Sequence, residues 1–238
     1  MTSPGDLISA PDYALSFRLL EPVPEHPRRL LLLLHGVGGD ETQLAKLGAR
    51  VDSDTLVVLP RAPRSVGGDM FGWFRVDFTD DGPQIVPEEA EESRIRLLEF
   101  VGQLRARHGV APGHTVVAGF SQGGILGAGA ALTAPRELAG FALLCGRILP
   151  EIEPALGPCD ALATLHALVV HGRDDDKLPV AWAERADAWL RELGVPHVLR
   201  LHDGGHALTP AMQQDFLDWF GDGERGWNGA GASAAPGD

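Results

Sequence analysis

The sequence predicts an α/β protein: a mostly parallel central sheet with helices packed on both faces. Residues 30–34, 55–59, 115–118, 141–144 and 167–170 are short, nearly continuous apolar runs, the pattern of strands buried on both faces. Between them, residues 88–107, 122–131, 180–193 and 210–220 carry apolar side chains at helical spacing, so strand and helix alternate along the chain.

Near the N-terminus, Tyr13, Leu15, Phe17 and Leu19 alternate with smaller or polar residues, as in an edge strand with one face open to water. The first long helix takes its apolar face from Ile95, Leu98, Val101 and Leu104. Segment 61–87 is rich in Gly and Pro, yet it carries Met70, Phe71, Trp73, Phe74 and Phe78, so this loop is expected to fold over something. Residues 1–220 read as one domain. Residues 221–238 hold too few apolar side chains to offset the entropy of ordering them and read as a mobile Gly/Ala-rich tail, in which only Trp227 could dock.

The 238 residues, 44% of them hydrophobic, are enough for one sizeable core. A formal charge of −13 makes nucleic acid and anionic membrane surfaces poor partners. The strongest apolar run, residues 30–34, is far short of the roughly 20 residues that span a bilayer, so no stable membrane insertion is expected. The first residues have neither the basic start nor the apolar stretch of a secretory signal, which points to a cytoplasmic location. Cys145 and Cys159 alone make neither a disulfide framework nor a four-ligand metal pattern.

The chemistry is sought just after the strands, where parallel sheets bind ligands. Strand 115–118 runs into GFSQGG and a helix follows at once, the strand–turn–helix setting of a nucleophile elbow. Gly119 and Gly123 are needed where a Cβ would strike backbone, leaving the Ser121 hydroxyl exposed at the apex. The plainer reading, a serine that merely caps a helix, ignores that setting. A serine hydroxyl needs a base within reach, and the base needs a third group to fix its tautomer. On this architecture they follow in the order Ser, Asp or Glu, His.

Strand 167–170 leads into HGRDDDKLP, where Asp174, Asp175 and Asp176 compete for the acid role, the others being left to cap or solvate a turn. For the base, His206 follows a short strand in a loop freed by Gly204 and Gly205, whereas His202 alternates with Val198 and Arg200 as a strand side chain. An oxyanion hole is best built from fixed backbone amides. In LLLLHGVGGDE the glycines at 36, 38 and 39 let the chain turn back, so Val37 would donate one amide and Gln122 the other. Neither GxGxxG nor GxxxxGK[ST] is present, which disfavours a nucleotide site.

Together HGVGGDE, RAPRSVGGDMFGWF, GFSQGG, HGRDDDKLP and GGHALTP closely resemble the phospholipase/carboxylesterase family of α/β-hydrolases, which includes the acyl-protein thioesterases, over about residues 30–220. The family's acid motif, HGxxDxxVP, selects Asp175 when laid on His171, Gly172, Leu178 and Pro179, with Leu178 in the Val position. The resemblance implies the α/β-hydrolase fold without a separate cap domain. It implies a serine hydrolase that cleaves carboxylic or thioesters of small or single-chain acyl substrates, with no metal or organic cofactor. It places Trp73 and Phe74 either beside the acyl pocket or as aromatics that only seal the core, and puts Cys145 where relatives carry Ser before Gly, so that its thiol would face the substrate cleft or lie buried and inert. Dimers are common among such enzymes, which suggests a homodimer. Two other readings share this sequence: a binding protein that holds a small ester without turning it over, and a hydrolase of an amide or a lactone. The Ser121-Asp175-His206 set argues against the first, and Ser in place of a Cys nucleophile argues against a dienelactone.

Overall fold

The computed structural model describes residues 2–79 and 82–224. The chain begins with β1 (Ser3–Pro4), β2 (Phe17–Glu21), β3 (Arg29–Leu34), α1 (Ala45–Gly48) and β4 (Thr55–Pro60). Two hairpins follow, β5 (Arg64–Gly67) with β6 (Met70–Gly72) and β7 (Val76–Thr79) with β8 (Gly82–Ile85). Next come α2 (Pro87–His108), β9 (Thr115–Phe120), α3 (Gln122–Thr133), β10 (Gly140–Leu144) and α4 (Cys159–Leu162). The chain closes with β11 (His166–Gly172), α5 (Ala181–Glu192), β12 (His197–His202) and α6 (Pro210–Glu224).

Eight strands form one sheet in the order β1-β2-β4-β3-β9-β10-β11-β12. From β4 to β12 every neighbour is parallel, and β2 and β1 are added antiparallel at one margin. Because side chains alternate across a strand, each apolar run feeds two cores. Leu30, Leu32, Leu34, Val117, Leu143 and Val169 pack with α2, α3 and α5 on one face. Leu31, Leu33, Val116, Ala118, Leu144 and Val170 pack with α1 and α6 on the other.

Three details depart from expectation. The N-terminal strand starts at Phe17 and not near Tyr13, whose ring instead stacks edge-on against Phe17 at 4.9 Å between centroids. It is also not the margin, since Ser3 and Pro4 pair outside it; proline, which lacks a donor, suits that outermost position. In α2 the buried stripe is Leu97, Phe100, Val101 and Leu104, and Ile95 is exposed, because the bulkier Phe100 and Leu97 set the face that meets α3.

The last helix runs four residues past Phe220. Arg29 holds it there, donating to the Phe220 carbonyl at 2.9 Å with its guanidinium 3.6 Å from the Phe220 ring centroid. The rest of the segment read as a tail, with Trp227, lies outside the described residues. Among the described residues no helix is long and apolar enough to cross a membrane.

Candidate active site

The carboxyl ends of the six parallel strands open at one end of the sheet, and the residues singled out above converge there. β9 leads directly into Ser121, whose φ of 52° and ψ of −118° are strained for a residue with a side chain. The turn is held by Ser121 N–H donating to the Leu144 carbonyl at 2.8 Å. A Cβ on Gly123 would sit 2.4 Å from the Leu34 carbonyl oxygen, and one on Gly119 would sit 2.3 Å from the Gly123 carbonyl carbon. Both contacts are with backbone that cannot swing aside, so glycine is required at both positions. Ser121 itself is buried, not standing free at the apex, because the His206 loop folds over it.

His206 follows β12 with its Nε2 2.9 Å from Ser121 Oγ and its Nδ1 2.7 Å from Asp175 Oδ2. The close approach of its loop to β11 explains another glycine: a Cβ at Gly172 would lie 2.4 Å from the Gly204 carbonyl oxygen. Asp175 is buried, and its other oxygen accepts the Lys177 and Leu178 amides at 2.9 and 2.8 Å. The buried His171 donates from Nε2 to the Leu178 carbonyl at 2.7 Å and stands 3.3 Å from Asp175 Oδ2. Burial lowers the His171 pKa, so this ring acts as a neutral donor beside the carboxylate.

The competing residues lie elsewhere. Asp174 and Asp176 are exposed, and Asp174 Oδ2 accepts the Gly204 amide at 3.3 Å. His202 bonds Asp215 on α6 at 2.6 Å.

After β3 the chain turns through Gly36, where a Cβ would lie 3.4 Å from the Ser121 Cβ, and through Gly38 at φ 78°. This turn pairs with the first hairpin: the Gly38 amide donates to the Phe71 carbonyl and the Phe71 amide to the Gly39 carbonyl, each at 2.9 Å. Gln122 opens α3, so its amide has no acceptor within the helix. Its side chain bridges to the hairpin segment, with Oε1 accepting the Trp73 amide and Nε2 donating to the Phe74 carbonyl, both at 2.7 Å. Val37 Cγ2 and Gln122 Oε1 both border Gly72, at 3.2 and 3.4 Å from where its Cβ would be. The irregular apolar segment thus folds onto the two turns expected to supply amides.

Trp73 and Phe74 take different positions. Trp73 is completely buried, and its indole Nε1 donates to the His35 carbonyl at 2.9 Å. Phe74 lines a cavity of about 310 Å³, together with Ile125, Leu126, Leu149 and Ile152, one turn of helix beyond Ser121. Cys145 is fully buried beneath the His206 loop, its Sγ 3.8 Å from the Ala207 carbonyl, and burial with the nearby Asp175 charge pushes its pKa up to about 12. Cys159 is exposed, and both thiols are free. A larger cavity of about 780 Å³ is lined by Arg28, Asp54, His114 and His166, at the amino ends of the strands and so on the far side of the sheet. Among the described residues no group of His, Cys, Asp and Glu is arranged to hold a metal ion.

Sequence reasoning missed the anchor of the Gly36–Gly39 turn. Glu41, only 2% exposed, accepts Arg61 at 2.7 and 2.8 Å and Arg18 at 2.7 Å. Burial alone would raise its pKa, but the two guanidinium partners outweigh that and hold it down at about 2. Glu41→Gln is therefore expected to cost about 3 kcal/mol of stability at pH 7. A depressed pKa stabilises fully above the ordinary carboxylate value and is lost as pH falls from 4.5 towards 2. Urea unfolding should show a smaller gap between variant and parent at pH 3 than at pH 7; an unchanged gap would remove the ion pairs as its cause.

The fold and this arrangement place the chain among the α/β hydrolases. Residues 20–220 match the phospholipase/carboxylesterase family, and the chain belongs to it. It is 29% identical over 212 residues to Esterase YpfH of Escherichia coli, covering 82% of this chain and 83% of that protein. It is 25% identical over 209 residues to an acyl-protein thioesterase 1 of Gibberella zeae, covering 81% and 89%. The crystal structure of esterase PE8 superposes with a TM-score of 0.75 at 27% identity, over 86% of this chain and 96% of that one. A Mesorhizobium loti carboxylesterase shares the fold with a TM-score of 0.77 at 24% identity, over 91% and 99%. The protein is an ester hydrolase.

Proposed function

We propose that the protein is a serine esterase that works through an acyl-enzyme on Ser121. The observation that carries this reading is the unbroken relay from Ser121 Oγ to His206 at 2.9 Å and from His206 to Asp175 at 2.7 Å. Ser121 attacks the ester carbonyl while His206 Nε2 takes its proton and passes it to the leaving alkoxide. Water, activated by the same ring, then releases the acid. Asp175 accepts from Nδ1, which keeps the proton-free nitrogen facing the serine and steadies the imidazolium. The Val37 and Gln122 amides receive the negative oxygen of the tetrahedral intermediate, already positioned by the turns that carry them.

The acyl group enters the cavity beside Phe74. At about 310 Å³ it is at the small end of the roughly 300–1,000 Å³ of ligand cavities, which favours small or single-chain acyl groups. Trp73 and Cys145, both fully buried, support the site from beneath and do not touch substrate. The thioesterase relative extends the candidate substrates to acyl thioesters of the same size.

A fluorophosphonate probe followed by peptide mass analysis tests the nucleophile, and the adduct is expected on Ser121. In parallel, p-nitrophenyl esters from acetate to dodecanoate should be hydrolysed fastest at short acyl length. Labelling of a different residue, or no release of p-nitrophenol from any of these esters, would overturn the reading.

A further inference from the structure

Most arginines near the cleft have a carboxylate partner: Arg18 and Arg61 meet Glu41, Arg64 and Arg75 meet Glu89, and Arg94 meets Glu91. Among the described residues Arg147 has none, although it is only 8% exposed. Among the described residues its contacts are one long donation to the Pro83 carbonyl at 3.4 Å and the face of Trp182, 4.7 Å from its guanidinium. Its Nε is buried with no acceptor. Glu151, exposed four residues on, acts on it by charge without forming an ion pair. A buried cation left without a counter-charge is costly, and in a native fold that cost calls for a partner.

Its position says where that partner comes from. Arg147 follows β10 immediately after Gly146, whose Cβ would lie 3.1 Å from the Ser121 carbonyl oxygen. Trp182 stands at the start of α5, just beyond the Asp175 loop, and Pro83 belongs to the hairpin strand β8. The guanidinium therefore spans hairpin and helix at the same end of the sheet as Ser121 and His206. A second cation, the exposed Arg185, lies 4.7 Å from the same Trp182 ring. Guanidinium nitrogens form a planar fork matched to a carboxylate.

We infer that Arg147 determines specificity by receiving a carboxylate carried by the substrate, so that the enzyme prefers esters bearing a free carboxylate to neutral esters of equal length. This rests on the serine-esterase reading above. A protein of charge −13 repels such substrates over most of its surface, and Arg147 supplies a local exception at the cleft.

The test compares p-nitrophenyl hydrogen glutarate with p-nitrophenyl valerate, and 4-butyryloxybenzoate with phenyl butyrate, at pH 7. The first pair carries the charge on the acyl side and the second on the alcohol side. In one of the two pairs the parent enzyme should favour the charged ester in kcat/KM. Arg147→Gln should reduce that ratio by about 10- to 100-fold, the range of a hydrogen bond to a charged group, and Arg147→Lys should restore part of it. A purely structural pin would slow both esters alike and leave the ratio unchanged, which overturns the inference, as does a parent enzyme with no preference in either pair. Should the variants fail to fold, glutarate is compared with valerate, and 4-hydroxybenzoate with phenol, as competitive inhibitors of the unaltered enzyme; the inference requires the charged member of one pair to bind at least tenfold more tightly. Hydrolysis of neutral esters without any charge preference sinks only the role of Arg147, whereas no hydrolysis of any ester sinks the esterase reading itself.

Discussion

Ser121→Ala should lower turnover of a short p-nitrophenyl ester by about 10⁴- to 10⁶-fold while leaving the fold intact. The size of the loss follows from geometry. Among the described residues no other hydroxyl is hydrogen-bonded to His206, whose Nε2 meets Ser121 Oγ at 2.9 Å. The variant keeps the cavity and the Val37 and Gln122 amides proposed to receive the oxyanion, so a residue of catalysis above the water reaction should survive. Alanine removes one oxygen from a position already held at φ 52°, so near-ultraviolet circular dichroism and the unfolding midpoint should match the parent. A variant that kept one part in a hundred of the parent's turnover would show that bond cleavage does not pass through this hydroxyl.

The second large effect separates two adjacent aspartates. Asp175→Asn should cost about 10⁴ in turnover, because an amide can donate to His206 Nδ1 and so turn the ring's proton towards the serine. The same exchange also loses the negative charge that steadies the imidazolium. Asp174→Asn should stay within a few-fold of the parent: among the described residues its exposed side chain accepts only the Gly204 amide, at 3.3 Å, and asparagine can still accept it. Equal losses in the two variants, or the reverse order, would move the acid role away from Asp175.

Much of this was legible from local pattern. The leucine-rich run at 30–34 and the valine pair at 116–117 carry the pattern of strands buried on both sides, and the structure places them side by side in the sheet. The nucleophile turn was readable because its glycines answer to contacts only a few residues away, as with Gly119 against Gly123. What local pattern could not carry is whatever depends on distant partners. Nothing around Gln122 announces that its side chain clasps Trp73 and Phe74, 49 and 48 positions earlier. The pairing of Glu41 with both Arg18 and Arg61 likewise spans three separate segments. His171 was visible only as part of a motif, and its place against the Asp175 carboxylate needed the turn between them to close. Segment 61–87 was expected to cover something, and Trp73 and Phe74 do join the core, but its two hairpins lack the regular alternation that marks a strand facing one core.

Gln122 works through two separate parts of itself. In the proposed mechanism its backbone nitrogen is offered to the reacting oxygen, while its carboxamide is the strut under the arch made by Trp73 and Phe74. Every residue except proline carries that nitrogen, so shortening the side chain leaves the donor in place and takes away only the strut. A sluggish Gln122→Ala enzyme would therefore be reporting a sagging arch, and the electrostatic share of this amide in the reaction has to be sought by changing the peptide bond itself.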